Sequence, residues 1–91
     1  MSVTVKIPTQ LRSLTAEVAE VPAAGTTVAD VIGDLERSYP GIADRLLAGP
    51  GELRRFVNLY LDGEDVRFLS GLSTEVSAGS TVAIIPAVAG G

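Results

Sequence analysis

At 91 residues, with a net charge of −4, a pI near 4.5 and a mean hydropathy of +0.36, the chain is long enough for one domain with one modest core. The acidic balance argues against a nucleic-acid partner, because that role needs a basic face to displace counterions. With neither Cys nor His, the chain cannot form disulfides or thiolate and imidazole metal sites, and it lacks the commonest general base.

Val3, Val5 and Ile7 alternate with Ser2, Thr4 and Lys6, which predicts a half-buried strand closed by Pro8. A polar loop carrying Leu11 and Leu14 leads to a second extended segment, Ala16 to Val21, ended by Pro22. Its phase is ambiguous, since Val18 and Val21 fall on opposite faces of a regular strand. Ala23-Ala24-Gly25 reads as a turn. Thr27 and Asp30 match a capping box, and Val28, Val31, Ile32 and Leu35 recur at helical spacing, with Tyr39 one turn further on. Pro40-Gly41 stops this main helix, and Gly33 inside it costs ~1 kcal/mol relative to Ala. Ile42 to Leu47 predicts a short second helix before the loop Gly49-Pro50-Gly51. Arg54 to Leu61 reads as a strand with Val57, Leu59 and Leu61 on one face and Phe56, Asn58 and Tyr60 on the other. Asp62-Gly63 is a type I′ hairpin signal, after which Glu64 to Phe68 returns as a short strand. Ser70 to Gly79 is an irregular crossover, and Thr81 to Ile85 is a final strand apolar enough to need a central place.

The order strand, strand, helix, strand, short strand, strand predicts an α+β fold. One main helix would pack across a mixed sheet of four to five strands, with a short second helix beside it. Parallel pairing of the first and last strands would use the long intervening chain as its crossover. This is the order of the ubiquitin-like β-grasp. The expected organisation is a β-grasp domain over residues 1–86 and a flexible C-terminal tail over residues 87–91.

The tail is the informative segment. Ala87, Val88, Ala89, Gly90 and Gly91 follow the last strand with no linker. A terminus without side chains leaves its carboxylate unhindered and lets the backbone pass where a Cβ would clash. Frayed, Gly-rich ends are common, but this one directly follows a strand. It marks a chain whose reactive group is its own end. Asp62, Glu64 and Asp65 lack the spacing of a calcium loop and read as a solvated hairpin, so no metal or cofactor is expected. Arg54 and Arg55 would either dock an acidic partner or mark an exposed strand end. Phe56, Tyr60, Phe68, Leu69 and Leu72 would either cover a secondary core or form a docking patch. No apolar stretch approaches the ~20 residues of a membrane span, and residues 1–15 lack a basic region followed by an apolar core. The chain is therefore expected in the cytoplasm, as a monomer when free.

Element order and tail together resemble the small ubiquitin-like sulfur-carrier family that includes ThiS, MoaD and the actinobacterial CysO branch. The resemblance spans essentially the whole chain. It is strongest at Val3-Thr4-Val5 with Ile7-Pro8, Arg55-Phe56-Val57-Asn58, Glu64-Asp65-Val66-Arg67-Phe68 and the tail. It implies a carrier rather than an enzyme. An E1-like adenylating enzyme would activate the Gly91 carboxylate with ATP and convert it to a thiocarboxylate, and a partner synthase would take the sulfur, for cysteine or another product. The alternatives are a ubiquitin-like modifier joined through Gly91 to lysines, a small subunit of a molybdopterin-synthase-like complex, or a non-covalent interaction module.

Overall fold

Strand β1 (Ser2–Lys6) buries Val3 and Val5 and turns Ser2 and Lys6 to solvent, as its alternation requires. The computed structural model describes residues 2–49, 51–55 and 57–86. Ile7 continues the buried row, and Thr9–Thr15 then winds into a 3-10 helix where a loop is expected. This turn buries Leu11 and Thr15, and the Thr15 hydroxyl donates to the Val18 carbonyl at 2.9 Å, so the buried polar group is satisfied. Ala16 and Glu17 follow at φ 54° and 66°, in the left-handed region.

The second strand lies later than its sequence suggests. β2 spans Glu20–Ala24, so Pro22, Ala23 and Ala24 belong to the strand rather than to a stop and a turn. Val21 and Ala23 supply its buried face, and Val18 stays outside it, which resolves the ambiguous phase. Pro22 fits because β2 is an edge strand, where a missing N–H breaks no ladder bond.

Helix α1 (Val28–Ser38) buries Val28, Val31, Ile32 and Leu35, the expected stripe. Thr27 caps it, its hydroxyl accepting from the Asp30 amide at 3.2 Å. The reciprocal half of the box is shifted by one residue: the Asp30 carboxylate accepts from the hydroxyl and amide of Thr26, at 2.9 and 3.3 Å. Helix α2 (Ile42–Leu46) is one residue shorter than predicted, because Leu47 opens strand β3 (Leu47–Gly49) against β4 (Glu52–Leu53). That small two-stranded sheet has no alternating signature in the sequence. Glu36 joins the two helices, its carboxylate accepting from the amides of Gly41 and Ala43 at 2.9 to 3.1 Å.

β5 spans Val57–Leu61, and Arg54 and Arg55, expected to open it, lie before it. Arg54 is held elsewhere: its amide donates to the Leu46 carbonyl and its Nε to the Asp44 carbonyl. Val57 and Leu59 point inward, as their spacing predicts. Asp62 at φ 49° and Gly63 at φ 92° make the expected turn into β6 (Glu64–Asp65). The return strand ends there, because the Asp65 carboxylate accepts from the Arg67 amide and turns Val66–Phe68 into a 3-10 helix that buries Val66. β7 (Thr81–Pro86) is central in a five-stranded mixed sheet of order β2-β1-β7-β5-β6. It runs parallel to β1 and antiparallel to β5, the pairing that element order implies. With α1 across it, this is the ubiquitin-like β-grasp.

Candidate functional site

Ala87, Val88, Ala89, Gly90 and Gly91 lie outside the described residues, as does Phe56. The site is therefore built from the root of the tail. Pro86 pairs with Val57 and Ile85 with Asn58, so the tail begins beside the start of β5. Because β1 runs parallel to β7, the end of β1 and the 3-10 turn after it lie at this same end of the sheet. The Asp62-Gly63 turn lies at the other end, where the Asp62 carboxylate accepts from the Thr81 amide at 2.9 Å.

Among the described residues, Arg12, Arg54 and Arg67 lie around the root, with Arg55 beside Arg54 and Val57. Arg67 donates through Nη1 to the Asn58 side-chain oxygen and through Nη2 to the Arg54 carbonyl at 2.7 Å. Arg54 donates to the Asp44 carbonyl at 2.8 Å, and Arg12 to the Ile7 carbonyl at 3.1 Å. All four acceptors are neutral, so each side chain is oriented without losing its charge to a carboxylate. Arg54 and Arg55 stand out in the sequence as a basic pair, whereas Arg67 has no such neighbour. A signal existed: the pairs Tyr60↔Asp65 and Leu61↔Glu64, extrapolated along the hairpin, put Arg67 opposite Asn58.

The expected docking patch is divided. Tyr60 is half-buried on the outer sheet face, where Lys6, Ala83, Ile85 and Asp62 help line a shallow dish of about 500 Å³. Ile85 is 46% exposed there. Phe68 and Leu69 project beyond the end of the hairpin, at 86% and 42% exposure. Leu72 instead packs against the core, as a partly buried member of its rim.

A second groove of about 550 Å³, at the end away from the tail, is lined by Ala24, Gly25, Ala29, Gly33, Asp30 and Asp34. Both carboxylates are committed to the protein. Asp30 is held below the ordinary carboxyl range by the Thr26 hydroxyl and amide, and Asp34 by the Ala24 amide and then Arg37. The hairpin acids are similarly engaged, Asp62 with Thr81 and Asp65 with Arg67.

A sheet whose central strand feeds a Gly-Gly end admits several ubiquitin-like families, and comparison separates them. The ThiS family model matches residues 5–91. The chain belongs to the ThiS family. It is 53% identical over 93 aligned residues, covering all of both chains, to the sulfur carrier protein CysO of Mycobacterium bovis. Its fold matches the crystal structure of the Amycolatopsis orientalis BexX/CysO complex with a TM-score of 0.91 at 49% identity, covering 98% of this chain and 99% of that one. It is also 42% identical over 65 residues to small archaeal modifier protein 3 of Haloferax volcanii, covering 71% of this chain and 70% of that protein. As a ThiS-family member with full-length sulfur-carrier relatives, the chain is a sulfur carrier.

Proposed function

We propose that the working group of this carrier is the α-carboxylate of Gly91, presented to other enzymes by the β-grasp body. The observation that carries the reading is the end-to-end identity with a named sulfur carrier in a chain that ends in Gly90-Gly91. A terminal carboxylate has a pKa of ~3.5, so at neutral pH it is an anion and a poor electrophile. Activation follows two balanced steps. The carboxylate oxygen attacks the α-phosphorus of ATP, releasing pyrophosphate and leaving an acyl-adenylate. Hydrosulfide released by a sulfur donor then attacks the acyl carbon, AMP departs with the electron pair of the broken C–O bond, and the terminus is a thiocarboxylate with sulfur in place of one oxygen.

The partners are an E1-like adenylating enzyme, which also supports the sulfur transfer, and a sulfur-accepting synthase. Their need for ATP places the cycle in the cytoplasm. The carrier itself performs no catalytic step. Residues 87–91 act as a tail separate from a domain of residues 1–86, and fully extended they span at most ~17 Å, enough to enter a cleft while the body stays outside. Ala87, Ala89 and Gly90 keep it slim, and Val88 provides one apolar grip. Phe56, Tyr60, Phe68, Leu69 and Leu72 form or support the face that these enzymes touch. The crystal structure of a BexX/CysO complex supports docking of carriers of this kind on protein partners.

Appending one residue after Gly91 tests the reading. The extended chain keeps its melting temperature and loses ATP–pyrophosphate exchange with the adenylating enzyme; full exchange by it would remove the proposal. The kinship with an archaeal modifier protein favours a second reading, conjugation of Gly91 to lysines. Intact mass separates the two, since a thiocarboxylate changes the mass only by sulfur for oxygen, whereas conjugation gives high-mass adducts.

A further inference from the structure

The charge of this acidic chain is unevenly placed. Asp30, Asp34, Asp62, Glu64 and Glu75 belong to the end of the fold away from the tail. That end includes the Asp62-Gly63 turn, the Ala24 end of β2 and the Thr27↔Glu75 bridge. Arg12, Arg54 and Arg67 surround the root of the tail. Glu17, Glu20, Glu36, Asp44, Glu52 and Asp65 also belong to that end, Asp65 accepting from the Arg67 amide, yet the guanidinium bonds of the three arginines run to a side-chain amide and to main-chain carbonyls. A guanidinium fixed by neutral acceptors is preorganised and still fully charged, which suits it to recognise a carboxylate. Any enzyme holding Gly91 must approach within ~17 Å of Pro86, which brings its surface to the side of the fold where these arginines lie. A chain of net charge −4 meets an acidic surface unfavourably except where its guanidinium groups are presented.

We propose that Arg54 and Arg67 form an electrostatic collar at the root of the tail that recognises a carboxylate-bearing rim around the cleft of the adenylating enzyme. The inference rests on the carrier reading above and adds the chemistry of the partner surface. Charges at an interface rim act mainly on encounter and on salt dependence. The catalytic efficiency of ATP–pyrophosphate exchange is therefore measured against carrier concentration over rising NaCl. Three full-length chains are compared: the native one, Arg54→Gln/Arg67→Gln, which retains amide donors, and Arg54→Lys/Arg67→Lys, which retains charge.

The native chain loses efficiency as salt rises. The Gln pair falls roughly tenfold at low salt with a flattened salt dependence, and the Lys pair recovers most of both. A Gln pair with native efficiency and salt slope overturns the collar. So does an equal loss in the Gln and Lys pairs with the native slope, because that pattern marks a structural role only. If the native chain itself supports no exchange, the carrier reading fails, and the collar fails with it.

Discussion

Gly25 and Gly33 face the same groove and respond oppositely to the same substitution. A Cβ on Gly25 would stand 2.7 Å from the Asp30 Cβ and 2.8 Å from the Val31 amide, closer than real atoms pack. Backbone would have to move, and the Thr26–Asp30 cap would move with it. A Cβ on Gly33 would meet nothing within 4 Å. Gly33→Ala is therefore expected to stabilise the chain by about 1 kcal/mol, through helix propensity alone. Gly25→Ala is expected to destabilise it by more than that, and urea denaturation of the two variants checks the opposite signs. The sequence marked Gly33 as a cost to the helix but read Gly25 only as a turn residue, because close approach between segments leaves no local pattern. The same limit applied to Arg67. Its charge was visible, but its place beside Asn58 follows only when the register of the Asp62-Gly63 turn is carried on past the hairpin, not from any local pattern.

Among the elements, those with a strict repeat were legible and those set by individual hydrogen bonds were not. β1, α1 and the inward face of β5 follow from periodicity in Val3/Val5, Val28/Val31/Ile32/Leu35 and Val57/Leu59. The 3-10 turn at Thr9–Thr15 and the early end of β6 go with local side-chain bonds, Thr15 to Val18 and Asp65 to Arg67, and the small β3–β4 sheet is followed by the Arg54 amide to Leu46 carbonyl bond. β2 shows how such details matter. Counting by twos from the Ile7 amide to Ala19 carbonyl bond, Val21 and Ala23 face β1, which leaves Glu20, Pro22 and Ala24 with main-chain groups on the open edge. Pro22 has no N–H, and the Ala24 amide is taken by the Asp34 carboxylate at 2.9 Å. The edge is thus nearly empty of free donors, which discourages strand-to-strand association. Pro22→Thr combined with Asp34→Ala should restore them, and sedimentation velocity is expected to show concentration-dependent self-association that the native chain lacks.

For the molecule as a whole, three carboxyl groups set the acid limit. Asp30, Asp34 and Glu36 are all lowered in the folded chain, Glu36 by the Ala43 and Gly41 amides. The folded state therefore binds fewer protons at these sites than the unfolded chain. Their contribution is whole above the ordinary carboxyl pKa of about 4 and disappears as pH falls through the lowered values. The melting temperature should fall below about pH 4. A triple Asp30→Asn/Asp34→Asn/Glu36→Gln variant should start lower at neutral pH and lose less on acidification. An equal acid loss in that variant would show that other groups set the limit. The central position of β7 carries a mechanical consequence. A pull applied beyond Pro86 runs along a strand paired with β5 over Val82 to Pro86 and with β1 over Thr81 to Ala83. The load falls on two ladders at once, in shear, and cannot unzip one bond at a time. An enzyme can thus grip the carrier by its end and tug without unravelling it.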